Sequence, residues 1–203
     1  MRILLVTATA MEVAPIASSL GSRVDLLTTG IGMVATAVAC ARALTTTSYD
    51  LAIDVGVCGA FDRDLPLGSV VHVTEDRIAE LGAEDGDGFL TMADLQLPAE
   101  ERFINGAPPA NAALAMLPTV RGITVNTVHG NTRSIDAIAA RCRPQVETME
   151  GAAFMSACLA AGVPFAQVRA VSNFVERRNR DAWRMADAIA NLGAATLRIL
   201  DAA

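Results

Sequence analysis

The sequence predicts an α/β fold, with a central sheet covered by helices on both faces. Three observations carry this. Short runs rich in Val, Ile and Leu alternate with Ala-rich stretches of helical length, the pattern of a chain that winds strand, helix, strand. The apolar runs are continuous, as strands buried on both faces require. Glycine-rich turns stand directly after two of them, where a strand must pass sharply into the next segment.

In chain order the predicted strands are Arg2–Thr7, Val24–Thr29, Leu51–Val57, Ser69–Arg77, Gly122–Val128 and Phe165–Val171. The predicted helices are Met11–Leu20, Met33–Leu44, Ala110–Leu117, Ser134–Arg141, Gly151–Ala161 and Arg180–Leu200. Ser134, Ala137, Ile138 and Arg141 recur at helical spacing, and Gly162-Val163-Pro164 stops one helix before the last strand. The stretch Ile78–Pro109 breaks the alternation. It carries Glu80, Glu84, Asp85, Asp87, Glu100 and Glu101 among glycines and prolines, and is expected to leave the sheet as a lid or an oligomer contact. Asp85-Gly86-Asp87-Gly88 has the start of a calcium loop without the rest of its ligand pattern, and reads as a solvated turn. No repeat, low-complexity tract or linker divides the 203 residues, so a single domain over 1–203 is expected.

Composition narrows the class of partner. Hydrophobic residues make up 52% of the chain and aromatics 4%, which implies a sizeable aliphatic core. A net charge of -6 without a basic run disfavours nucleic acid and membrane surfaces and leaves a small molecule as the expected partner. The opening run Met1–Val6 is too short for a signal segment, and no uncharged run reaches membrane-spanning length. Cys40, Cys58, Cys142 and Cys158 form no C-x-x-C pair. They read as reduced thiols, mostly buried small hydrophobes, of a cytoplasmic protein. The two histidines, His72 and His129, are far apart, so neither a metal site nor a cofactor is expected.

The first glycine turn, Thr29-Gly30-Ile31-Gly32, runs into Met33-Val34-Ala35 and fits G-x-G-x-x-A, with Asp54 about 22 residues beyond Gly32. That pattern admits a dinucleotide site. Against it, the turn follows the second predicted strand, and a second turn, Gly56-Val57-Cys58-Gly59, follows the third. Either way, a ligand crevice is expected at the carboxyl ends of the strands. Glu12, Glu150 and Asn173 all fall at such ends. Each alone could merely satisfy backbone amides near a helix start. Together, from three separate units, they point to a shared pocket.

The runs Val146-Glu147-Thr148-Met149-Glu150-Gly151-Ala152-Ala153 and Arg169-Ala170-Val171-Ser172-Asn173, with Val163-Pro164-Phe165 between them, resemble the nucleoside phosphorylase/nucleosidase family. Ala10-Met11-Glu12-Val13 resembles the first-strand loop of its methylthioadenosine/S-adenosylhomocysteine nucleosidases, and both glycine turns resemble those of the family. The resemblance runs from Met1 to near the C-terminus, thinnest over the acidic excursion. It reduces the dinucleotide reading to a minor alternative. It implies a three-layer α/β/α fold with a central mixed twisted sheet, a purine nucleoside substrate and a homo-oligomer. It also implies catalytic roles for Glu12, Glu150 and Asn173. Substrate contacts are implied for Ile31, Val57, Cys58, Gly59, Met149 and Ser172, and for Thr127 and Val128 by counting back from Met149. For Arg169, ligand contact and an ion pair with a buried carboxylate both stay open.

Chemistry then chooses the nucleophile and the base. The loops Thr7–Val13, Thr29–Val34 and Gly56–Phe61 contain no Lys or Arg, whereas a phosphorylase must hold a dianion. Glu12 would repel phosphate and suits water. Adenine-directed members carry Asp where this chain has Asn173. An amide cannot act as a general acid, but it can donate a hydrogen bond to N7 or O6 of a 6-oxopurine, so a hypoxanthine-type base is expected. Ser172-Asn173-Phe174-Val175-Glu176-Arg177-Arg178, Trp183 and the segment Glu80-Leu81-Gly82-Ala83-Glu84-Asp85 resemble one branch of the family. That branch hydrolyses an inosine derivative with a 5′ carboxyphenyl-ketone group, a step of menaquinone biosynthesis. Arg133, Arg177 and Arg178 are candidates for its carboxylate. Trp183 and Phe174 are read mainly as packing residues. Another purine nucleosidase, an inosine-type phosphorylase and a non-catalytic nucleotide-binding module remain alternatives.

Overall fold

The computed structural model describes residues 1–203. Its strands are β1 (Ile3–Thr7), β2 (Val24–Thr28), β3 (Leu51–Ala60), β4 (Val70–Arg77), β5 (Gly82–Asp85), β6 (Gly88–Thr91), β7 (Arg102–Ile104), β8 (Thr119–Thr124), β9 (Val146–Thr148) and β10 (Phe165–Phe174). Its helices are α1 (Ala10–Val13), α2 (Met33–Thr46), α3 (Ala112–Ala115), α4 (Thr132–Cys142), α5 (Gly151–Ala161) and α6 (Met185–Asp201).

The sheet is mixed. β2, β1, β3 and β10 run parallel, while β4, β8 and β9 run the other way. The long β3 makes this possible. Its first half lies between β1 and β10, and its last two residues, Gly59 and Ala60, pair with β9. Since β10 also pairs with β4, the strands β3, β10, β4, β8 and β9 close on themselves. Their ends around Gly59 therefore converge on one rim.

Period-two alternation divides the core. On β1, Ile3 and Leu5 face one layer with Val13, Leu192 and Ile199, while Leu4 and Val6 face the other with Cys40, Phe154 and Cys158. The sheet is thus sandwiched between α1, α3 and α6 on one side and α2 and α5 on the other. The three-layer expectation stands.

Several boundaries differ from the sequence reading. The helix expected over Met11–Leu20 is only α1 plus a 3₁₀ turn at Ala17–Ser19, because Pro15 has no N–H and its ring excludes a continuing helix. The helix expected from Arg180 begins at Met185, after a 3₁₀ turn at Arg180–Ala182. The strand expected over Gly122–Val128 is β8, which ends at Thr124 and leaves Thr127 and Val128 in a loop. Within Ile78–Pro109 the chain is not irregular: β5 and β6 form a hairpin whose turn holds Asp85-Gly86-Asp87-Gly88, and β7 pairs with β4.

His72 on β4 is a polar outlier in this core. It is 3% exposed, and its Nε2 has no hydrogen-bond partner. Burial lowers its pKa from the ordinary 6.5 to about 4. The unfolded chain therefore binds the proton more readily, and the contribution of neutral His72 is lost as pH falls from about 6.5 toward 4. Between pH 7 and 5 the wild type is expected to lose about 2 kcal/mol of stability relative to His72→Leu. Urea unfolding of both proteins at the two pH values checks this; parallel pH profiles would refute it.

Candidate active site

Local sequence places the first carboxylate. Thr9-Ala10-Met11-Glu12 is a capping-box pattern at the start of α1, and Glu12 reaches back to the Thr9 N–H at 2.9 Å. Its Oε2 also accepts from Thr7 Oγ1 at 2.9 Å and Thr9 Oγ1 at 3.1 Å, while its Oε1 accepts from the Val57 N–H at 3.2 Å. Oε1, with a single donor, keeps room for one more. Gly56 makes this approach possible. A Cβ there would collide with the Arg169 guanidinium and lie 2.8 Å from Glu12 Oε1.

Glu150 heads α5 as its N-cap. Its Oε1 accepts from the Gly32 N–H at 2.9 Å, and its Oε2 has no protein donor. Gly32 has φ 98°, a left-handed conformation that a side chain would strain. The first glycine turn thus aims a backbone N–H at a carboxylate. The second expected turn, Gly56-Val57-Cys58-Gly59, is instead part of β3, which runs on to Ala60; there the Val57 N–H is aimed at Glu12 from the strand itself. The Gly32 N–H that would meet a dinucleotide phosphate is committed to an acid, and a phosphate there would face the Glu150 carboxylate, which disfavours the dinucleotide reading.

A bulge sets the third residue. The register of β10 against β3 shifts between Val171 and Asn173, which re-aims the side chain. Asn173 Nδ2 donates to the Phe174 carbonyl at 3.0 Å, and Ser172 Oγ donates to Asn173 Oδ1 at 2.9 Å or to the Cys58 carbonyl at 3.1 Å. The second N–H of the amide is left for a ligand.

These groups share one cleft at the strand ends. Glu12 and Ile31 line it from the first two loops, Val57, Cys58 and Gly59 from β3, and Met149 and Glu150 from the end of β9. Ser172 and Asn173 line it from β10, and Val128 from the loop after β8. Burial pushes the Cys58 thiol up to about 12, so it serves as an apolar contact. No group of three or more His, Cys, Asp or Glu side chains is arranged to hold a metal ion.

One expected contact is corrected, and the two readings left open for Arg169 are separated. Thr127 is exposed in its loop and does not line the cleft, because β8 ends three residues earlier. Arg169 is fully buried and outside the cleft lining, ion-paired with Asp54 on the neighbouring strand. Burial opposes its charge, but Asp54, Glu150 and Glu12 together raise its pKa above the usual arginine value. Arg169 therefore reaches the site through its field. Of the arginines considered for a 5′ carboxylate, Arg133 pairs with Asp87 at 3.2 Å on the hairpin turn and Arg177 lines neither lobe. Arg178 lines an adjoining lobe.

Sequence reasoning missed several lining residues. Trp183, read mainly as packing, lines both lobes. Met11, Met185 and Ile189 give the main cleft an apolar wall. Glu147 and His129 were not assigned to the site, yet both line the adjoining lobe, and Glu147 lines the cleft as well. A charged residue inside the apolar run Val146–Met149 was the available signal for Glu147.

A mixed sheet that gathers two carboxylates and an amide at one rim defines a class that acts on a small polar ligand. The sequence profile of the phosphorylase superfamily matches residues 12–202, and the chain belongs to that superfamily. Within it the chain is similar to curated futalosine hydrolases. It is 37% identical to that of Streptomyces coelicolor, over 83% of this chain and 74% of the relative, and 35% identical to that of Thermus thermophilus, over 86% and 80%. The fold is shared with solved structures. The native futalosine hydrolase of Helicobacter pylori matches with TM-score 0.84 at 14% identity, over 99% of this chain and 97% of that one. A methylthioadenosine/S-adenosylhomocysteine nucleosidase of Colwellia psychrerythraea, in complex with adenine, matches with TM-score 0.81 at 22% identity, over 99% and 95%.

Proposed function

We propose that this chain hydrolyses the N-glycosidic bond of futalosine, releasing hypoxanthine and dehypoxanthine futalosine in menaquinone biosynthesis. The observation that carries water as nucleophile is the commitment of the Gly32 N–H in the glycine turn and the Val57 N–H on β3 to Glu150 and Glu12. No Lys or Arg lines the main cleft. A phosphate there would meet two carboxylates. At about 4 Å each unit-charge pair costs roughly 4 kcal/mol at an effective dielectric near 20.

In this reading Glu12 Oε1 accepts a proton from the attacking water, whose oxygen bonds to the anomeric carbon as the bond to the purine nitrogen breaks. Glu150 Oε2 accepts from ribose hydroxyls and places negative charge beside the oxocarbenium-like sugar. The Asn173 amide donates to the departing base, and this bond strengthens as the base takes up charge; the released purine anion then takes a proton from solvent, and Glu12 returns its proton to solvent. Arg169 sets a buried positive charge beneath the two carboxylates. The apolar wall of Met11, Met185 and Ile189 suits an aromatic 5′ group. A single cytoplasmic domain and a homo-oligomer belong to the same reading. Ile31, Val34 and Val38 are 64%, 76% and 65% exposed beside the cleft, an apolar face that a second copy would cover. No helix is long and apolar enough to cross a membrane.

Purified protein is expected to release hypoxanthine from futalosine far faster than any base from inosine or methylthioadenosine; equal rates on all three would contradict the assignment. Asn173→Asp sets a carboxylate against an increasingly anionic base. It is expected to lower kcat/KM for futalosine by about 100-fold and to admit the 6-amino analogue. Full activity on the 6-oxo substrate would remove the role given to this amide.

A further inference from the structure

The adjoining lobe holds a built polar pair that the chemistry above does not use. Gly59 on β3 is paired with Glu147 on β9 and with Asn173 on β10. It has no side chain, and a Cβ there would lie 3.3 Å from Asn173 Nδ2 and 3.5 Å from Glu147 Cγ. The amide and the carboxylate therefore flank one gap at the sheet rim. Glu147 is 4% exposed, and a carboxylate at such a depth needs partners. His129 supplies them both. Its backbone N–H donates to Glu147 Oε1 at 3.1 Å, and its Nδ1 lies 2.7 Å from Glu147 Oε2. Phe61 packs edge-on to the imidazole at 6.1 Å between centroids. Each carboxylate oxygen thus has one donor and keeps a lone pair, and the residue lines both lobes of the site.

We infer that Glu147, held by His129, reads the N1 edge of the purine and selects 6-oxo over 6-amino bases. This rests on the proposed cleavage of a purine nucleoside. A 6-oxopurine carries N1–H, a donor that a carboxylate accepts, next to O6, an acceptor within reach of the Asn173 amide. A 6-aminopurine carries a bare N1 lone pair, which would face the carboxylate without a proton between them. Glu147 and Asn173 then form a complementary acceptor and donor for the 6-oxo edge and a mismatch for the 6-amino edge. Sites that leave a buried polar group unpaired by the wrong substrate discriminate strongly. His129 is a positioning residue: it touches Glu147 and fixes the direction of the carboxylate.

The test compares wild type, Glu147→Gln and His129→Asn on futalosine and its 6-amino analogue. Glu147→Gln keeps the shape and loses the charge, and should lower kcat/KM for the 6-oxo substrate by about 30-fold, as loss of a charged hydrogen bond does. The 6-amino substrate should be unaffected or improved, so the preference shrinks by more than the loss itself. His129→Asn, in a loop, should move the ratio the same way by a smaller factor. Equal losses on both substrates, or no loss, with an active wild type would overturn the role of Glu147 and leave the proposed function standing. A wild type that releases no hypoxanthine would defeat both.

Discussion

Replacing Glu12 by Gln is expected to lower kcat for hypoxanthine release by about 10³-fold with little change in KM. Two effects combine. The amide cannot accept the proton of the attacking water. It also fits the donor set poorly, since Thr7, Thr9 and Val57 all donate to the carboxylate. A Gln must turn its NH₂ toward at least one of those donors, a mismatch of about 1–3 kcal/mol. Steady-state kinetics with a parallel thermal melt separates the two. A variant that keeps its fold and its kcat within tenfold of wild type would remove Glu12 from the proton transfer.

The second large effect concerns stability. Asp54→Asn is expected to cost about 3–5 kcal/mol, because it leaves the fully buried Arg169 charge without its partner. The reverse loss is milder. Burial, partly offset by Arg169, already pushes Asp54 up to about 7, so a carboxyl stripped of the arginine can take up a proton. Asp54→Asn combined with Arg169→Met should regain much of the loss, since an apolar pair replaces an orphaned charge. Denaturant unfolding of the single and double variants reads this directly. A single variant within about 1 kcal/mol of wild type would show that Arg169 is neutralised elsewhere.

The site was legible where the signal was local. Glu12 stands in a capping-box pattern three residues after Thr9, and Asn173 closes a run of apolar strand residues. Polar residues at the ends of buried strands must be satisfied by something, and the strand ends are where ligands sit. The partners of these residues were not legible. Asp54 lies 115 residues from Arg169 and Glu147 lies 18 from His129, and nothing local encodes either pairing. Ion pair and ligand contact were equally open for Arg169 until β10 was set beside β3. Thr127 was placed by counting back from Met149, which assumed that β8 ran on; its early end moved the residue to solvent. Among the helices, the fault at Met11–Leu20 was avoidable, since Pro15 stands in the sequence as a stop. The order of the sheet is not legible locally, because it depends on one long strand changing neighbours halfway along.

The proposed chemistry stands or falls on the nucleophile. Hypoxanthine release from futalosine should be followed in phosphate-free buffer and again with excess phosphate, with the mass of the sugar product determined in each case. Two carboxylates at the attacking face predict equal rates and the free dehypoxanthine sugar in both. Release that requires phosphate and yields a sugar phosphate would contradict hydrolysis and the role given to Glu12.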